Sequence, residues 1–234
     1  MRSLPILLVL ILLVGCTNAP TPVATPTPAE YIARAGEATQ AAKSLRFVIT
    51  ITGKSVASDA AGFFAIQQID GAIQRPDGAL ATLTVKSAVG LAEIKTVSLA
   101  GQQYFTNPVT RQWQCLAPGS AFDPGVLFDA NGGIGNLLKQ GIDQPSLVAQ
   151  ETIDGRPKNH LRGMIAPERI RAISLGLIGA GPVSVDLWAD ARTNQLAKVV
   201  LVDSLTDSKQ PTTWTLVFSD YDQAVDLRAP VTCP

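Results

Sequence analysis

The sequence predicts an α+β fold in which one large, twisted antiparallel sheet curls and a few helices cover one of its faces. Three observations predict it. Apolar and polar residues alternate with period two along most of the chain, the links between these runs are short and carry turn residues, and helical spacing occurs at only a few places. A chain of 234 residues with 46% hydrophobic side chains buries a real core, as a single domain. Its 19 basic and 19 acidic residues cancel, and no run of Lys and Arg occurs, which removes the electrostatic footprint of a nucleic-acid binder. One histidine, His160, and three dispersed cysteines form no cluster with metal-ligand spacing, so neither a metal nor a cofactor is expected.

Residues 1–15 read as an export signal. Arg2 supplies the positive start, and Leu4 to Val14 form an apolar run, broken by Pro5, that is too short to span a bilayer. The run closes on Leu13-Val14-Gly15-Cys16, which resembles the bacterial lipobox and makes Cys16 the expected lipidated first residue of the mature protein. Two or three acyl chains anchor stably where a single chain does not. The expected location is therefore the extracytoplasmic face of the cell membrane; the alternative is an ordinary secretory signal with a chance cysteine at its end. Residues 16–28 form a tether whose Thr17 to Pro28 stretch holds four prolines and no charge, and the folded domain occupies 29–234. Proline bias extends such a segment by ~3 Å per residue.

Within the domain, Ile32, Ala35, Thr39 and Ala42 fall at helical spacing in Glu30 to Ser44, behind Pro28. Leu45, Phe47, Ile49 and Ile51 then alternate with polar or smaller residues, the signature of a strand with one buried face. Further strands are expected at Gly62 to Arg75, Ala79 to Ser87, Leu91 to Ala100, Gln102 to Asn107 and Arg111 to Leu116. Their links, such as Arg75-Pro76-Asp77-Gly78 and Asn107-Pro108, carry turn chemistry and are too short for parallel crossovers. Asp123 to Gln140 mixes glycines with Leu and Ile and reads as short, broken helices. Strands resume at Ser146 to Ile153 and Lys158 to Ile165, a helix is expected from Pro167 to Leu177, and a last meander covers Val183 to Ala189, Gln195 to Ser204 and Thr213 to Tyr221.

Catalytic chemistry finds little support. His160 lies in an expected strand beside Lys158, Asn159 and Arg162, no Gly-x-Ser-x-Gly elbow occurs, and the residue reads as a surface histidine. Asp220 and Asp222 flank Tyr221 near a strand end as solvated charge, and Gly132-Gly133-Ile134-Gly135 lacks the following Lys-Ser/Thr of a phosphate loop. With Cys16 assigned to lipid, Cys115 and Cys233 remain as an even pair in an exported domain, which favours a disulfide; two free buried thiols are the alternative. The apolar strand faces, such as Leu196 to Val202 and Trp214-Leu216-Phe218, need cover that small, glycine- or alanine-rich helices fill with a packed core or leave as a cavity.

Several features together resemble the LppX/LprAFG family of bacterial lipoproteins, whose fold is related to the LolA and LolB lipoprotein carriers. They are the lipobox and proline tether, the Ala-rich helix delivering the chain into Ser44-Leu45-Arg46-Phe47-Val48-Ile49, and the hairpin Pro182-Val183-Ser184-Val185-Asp186-Leu187-Trp188-Ala189-Asp190 with Thr193-Asn194-Gln195-Leu196. Trp214 to Tyr221, followed by Asp222, Val225 and Pro230, is similar to the family's closing strand. The resemblance implies a half-open β-barrel around helices, with an apolar cavity that holds acyl lipids or glycolipids and carries or presents them across the envelope, no catalysis, and an envelope transporter among its conceivable partners. Strand phase then puts Phe47, Ile49, Ile51, Val183, Val185, Leu187, Trp214, Leu216 and Phe218 on the cavity wall, with Leu137, Leu138, Ile170 and Leu175 as helical cover; each is equally suited to an ordinary core. The main rival is a non-catalytic scaffold lipoprotein with a filled core. A weaker one, an envelope hydrolase, requires His160 in a cleft beside a serine or a carboxylate.

Overall fold

The computed structural model describes residues 25–54, 65–76, 78–117, 123–129, 131–174, 177–178, 181–205 and 207–233. Eleven strands form a single sheet in which every neighbouring pair is antiparallel. They are β1 (Ser44–Thr52), β2 (Ala65–Gln74), β3 (Gly78–Ser87), β4 (Gly90–Leu99), β5 (Gln102–Thr106), β6 (Trp113–Leu116), β7 (Ile142–Ile153), β8 (Arg156–Ile165), β9 (Val183–Asp190), β10 (Leu196–Asp203) and β11 (Thr212–Ser219). The order β6-β5-β4-β3-β2-β1-β11-β10-β9-β8-β7 joins two meanders through the β1–β11 pair and leaves β6 and β7 as edges, so the barrel stays open.

One face of this sheet is an apolar wall. Register aligns Leu83, Ile69, Ile49, Leu216, Val199, Leu187 and Leu161 in one row across seven strands, and each of them is buried. A second row passes through Ile51, Trp214, Leu201 and Val185. Where Phe47 crosses β2 it lies over Gly71: a Cβ there would collide with the phenyl ring and sit 2.8 Å from the Leu80 carbonyl oxygen. Phe47 in turn packs on Phe128, which meets Phe218 edge-on.

The chain covers this wall because it must cross it. Strand β6 ends at one edge and β7 begins at the other, so the link between them traverses the concave side, bearing a 3-10 helix (Pro124–Phe128) and α2 (Ile134–Gln140). Two other helices complete the cover: α1 (Pro28–Ala41), whose buried stripe includes Ile32, Ala35 and Thr39, and α3 (Pro167–Ile173), with Ile170 buried. Helices α1 and α2 approach closely through glycine, since a Cβ on Gly36 would sit 2.6 Å from the Gly135 carbonyl oxygen. Arg75, at the end of the β2–β3 hairpin, donates to the Ala42 carbonyl (2.9 Å) and the Phe128 carbonyl (2.8 Å), bolting the 3-10 helix to the α1–β1 corner.

After β11 the chain runs as a strap along one rim of the sheet. Asp222 pairs with β1 through Lys43 and Ser44, Val225 N–H donates to the Gln74 side chain, and Leu227 packs against Gly78. Cys233 then bonds Cys115 of β6, with Cα atoms 5.7 Å apart and a sequence separation of 118. The strap thus ties four strands of the first meander to the end of the second.

Candidate functional site

Between wall and cover lies a small apolar void of about 40 Å³. Ile49, Val185, Trp214 and Leu216 line it from the sheet, and Leu137, Leu138 and Ile170 from the helices. Phe47, Ile51, Val183, Leu187 and Phe218 share the same face but pack into the surrounding core. Leu175 lies outside the described residues, as do Cys16 and the export signal. Trp214, whose buried indole N–H has no partner, and Ser174 bring polar side-chain atoms to a lining that is otherwise apolar.

The helices over the void differ in how they are held. Helix α1 has fourteen residues, Pro28 in its first turn and a full capping box, in which Thr27 accepts from Glu30 N–H while the Glu30 carboxylate accepts from Thr27 N–H at 2.6 Å. Helices α2 and α3 have seven residues each and no side-chain cap at Gly133 or Ala166. At that length a helix exists through packing rather than by its own propensity.

A second, larger cavity of about 760 Å³ opens beside the first, between the 3-10 helix and strands β2–β5. Its lining is mixed, and Ile173 of α3 is common to both cavities. The sequence drew no attention to it, because its polar lining residues come from separate hairpins that only register brings together.

The opposite face of the sheet carries a polar cluster on β7–β10. His160 is not a surface residue: it is 7% exposed, because the long side chains of neighbouring strands close over it. Its ring stacks on Trp188, its register partner, with centroids 4.2 Å apart. Nδ1 lies 2.7 Å from Glu151 Oε1 and Nε2 2.6 Å from Asp186 Oδ1. Glu151 also accepts from the Trp188 indole, Asp186 is paired with Arg162 at 2.9 Å, and the Lys198 ammonium lies over the Trp188 ring. The hydrogen bonds from Trp188 and His160 hold Glu151 below the usual carboxylate range; burial pushes Asp186 up, but Arg162 and His160 prevail and it too is lowered. The carboxylate neighbour a hydrolase would need is therefore present, yet both ring nitrogens are engaged and His160 lines neither cavity.

At the hairpin end of the same face, Lys158 and Asp190 form an ion pair at 2.8 Å, both nearly buried. Burial raises the Asp190 carboxyl, but the Lys158 ammonium and the N–H groups of Arg192 and Thr193 outweigh it and hold it at about 2. Those N–H bonds also shape the β9–β10 turn, where Asn194 sits at φ 59°. Among the described residues, no group of three His, Cys, Asp or Glu is placed to hold a metal, and no helix is long and apolar enough to cross a membrane.

The comparisons agree with this architecture. LprF from Mycobacterium bovis superposes with a TM-score of 0.68 over 88% of this chain and 97% of its own, at 18% identity. The Mycobacterium tuberculosis lipoprotein LppX follows at 0.62, over 86% and 98%, at 14% identity. A LolA-superfamily protein from Nitrosomonas europaea aligns at 14% identity over 86% of this chain and 95% of its own, a far looser likeness with a TM-score of 0.32. No curated protein matches the sequence significantly. The profile of the LppX_LprAFG lipoproteins matches residues 27–227, which takes in α1, all eleven strands and the start of the strap: the chain belongs to the LppX_LprAFG lipoprotein family.

Proposed function

We propose that this lipoprotein is anchored through Cys16 on the extracytoplasmic face of the membrane. There it binds an acyl lipid or glycolipid between sheet and helices, and carries or presents it across the envelope. The observation that carries this reading is the seven-strand apolar row lying under two short, uncapped helices with an apolar void between them. Each CH₂ taken from a bilayer into water costs about 0.8 kcal/mol, so a chain leaves the membrane only for an equally dry place. Such a wall needs no directional chemistry, and family and fold alike point to a carrier rather than an enzyme. Pockets for small ligands span roughly 300–1,000 Å³, and the void at about 40 Å³ is far smaller. Uptake therefore requires α2 and α3 to move off the wall, which weakly held elements do at low free energy.

The same small volume favours a second reading, a non-catalytic scaffold lipoprotein with a filled core. Organic extraction and mass spectrometry of the full chain carrying Cys16→Ser, purified without detergent, separates the two. Stoichiometric acyl lipid that disappears with Leu216→Trp, in a variant that keeps a cooperative thermal transition, supports the carrier. A stable, lipid-free monomer supports the scaffold.

A further inference from the structure

The two ends of the sheet are finished differently. One end carries the β3–β4 turn, the β5–β6 link and the β10–β11 link, and each shows a large apolar side chain to solvent. Val89 and Leu91 at the first, Val109 on the second and Leu205 on the third are 65% to 98% exposed. Among the described residues, the turns of the opposite end and the strap expose no large apolar side chain and mix acidic with basic residues. The apolar tips are held out by their own turns. The Ser87 hydroxyl donates to the Gly90 carbonyl at 2.9 Å, and the Asn107 side chain accepts from the N–H groups of Val109 and Thr110 at 2.9 and 3.0 Å. Each turn is thus shaped by one polar residue and presents an apolar one, where turns ordinarily present polar side chains or glycine.

Register gathers Val89, Leu91 and Val109 at one corner. Lys95 N–H donates to Thr106 Oγ1 at 2.7 Å, which lays the β5–β6 link along the Leu91–Lys95 stretch of β4. The charge at this corner is basic. Leu91 faces Lys86 across the β3–β4 hairpin, and Lys95 and Arg111 flank the β5–β6 link. All three cations are exposed, and none is in an ion pair among the described residues. From Gly78 to Leu116 the sequence sets these three cations against one carboxylate, Glu93, so the corner is net positive. Single exposed apolar residues are ordinary; several at one corner beside unpaired cations suit a partner that is apolar inside and anionic at its surface. The tether permits such a contact, because the twelve residues from Thr17 to Pro28 extend by ~3 Å each.

We propose that this end of the sheet docks on the surface of an anionic bilayer, with Val89, Leu91 and Val109 entering the interface and Lys86, Lys95 and Arg111 meeting lipid phosphates. The contact is made by the protein itself, in addition to any anchor at Cys16, and it stands whether or not the core takes up lipid.

Co-sedimentation with vesicles tests it, using the chain from residue 16 onward with Cys16→Ser so that neither the export signal nor an acyl chain contributes. On phosphatidylcholine vesicles containing about one-third phosphatidylglycerol the protein is expected to bind, and to bind about tenfold more weakly on phosphatidylcholine alone or at high salt. Val89→Ser, Leu91→Ser and Val109→Ser together should weaken binding more than about tenfold and leave the melting temperature unchanged, since all three side chains are exposed. Lys86→Gln with Arg111→Gln should remove most of the preference for anionic vesicles. Leu147→Ser with Val148→Ser, exposed in the middle of the edge strand β7, should leave binding within about twofold. Absence of binding by the unsubstituted chain, equal binding by the triple serine variant, or equal loss from the β7 changes overturns the proposal. Self-association that the triple serine variant abolishes, without vesicle binding, also overturns it and gives the surface to a second copy of the chain.

Discussion

The sheet and the crossing segment that covers it are built to different standards. Ile49 of β1, Leu187 of β9 and Leu216 of β11 each face an apolar partner on both sides, α1 is capped by reciprocal bonds, and a disulfide ties the strap to the far edge. The segment from Pro124 to Gln140 and helix α3 have short helices, no side-chain caps on α2 or α3, and a void beneath them. The difference separates two jobs. Stability resides in the frame, while on the carrier reading the weakly held cover is the part that would open.

Substitutions that strike one part and spare the other sharpen this contrast. The largest effect belongs to Leu187→Asp, which buries a carboxylate in the middle of the inner row; a loss above about 4 kcal/mol should abolish the cooperative thermal transition seen by circular dichroism. Next comes the double change Cys115→Ser with Cys233→Ser. It frees a loop of 118 residues and should lower the denaturant midpoint by the equivalent of about 4 kcal/mol. Acid attacks the frame through Asp190. A carboxyl held at about 2 when folded, against about 3.9 when unfolded, stabilises fully above the ordinary value and loses that contribution as pH falls through the folded one. Asp186 and Glu151 are shifted in the same direction. The melting temperature should accordingly be flat from neutral pH to about 5 and drop steadily toward pH 2, with Asp190→Asn removing about 2 kcal/mol of the slope. Thr27→Ala, which deletes the α1 cap, should cost about 1 kcal/mol without changing lipid uptake.

The smallest expected effect lies on the cover. Ala166→Ser introduces the cap that α3 lacks, and should leave the global midpoint within about 0.5 kcal/mol while slowing acyl-lipid uptake about twofold. Faster uptake, or uptake unchanged while Thr27→Ala alters it, would reverse the assignment of frame and cover.

Much of the frame was legible because strand alternation is a local property. Phe47, Ile49 and Ile51 announce their own buried face, as do Trp214, Leu216 and Phe218. Element ends were less so. Strand β7 begins at Ile142 rather than Ser146, since Gln144 at φ 49° and a register shift before Ser146 break the period that marks a strand. Helix α1 stops at Ala41 because Ser44 already pairs with Gln74 in the sheet. Helix α3 stops at Ile173, where Ser174 exchanges hydrogen bonds with Ile178 through its hydroxyl, although Leu177 suited the helical spacing. Strand order could not be read at all, since nothing in residues 117–141 says which edge they lead to. The His160 cluster and the larger cavity share that cause: each joins residues from several strands that are neighbours only once register is set.

The pairing of β1 with β11 also has a consequence in time. Arg46 finds its partner in Ser219, so the first strand made has one flank bare until nearly the whole chain exists. The first meander can form early from local hairpins, whereas the second must be threaded back from the far edge before the two meet. Until that last strand arrives, the apolar row is cut through its middle and both halves expose it, the state in which an antiparallel chain is most prone to join its neighbours instead of itself.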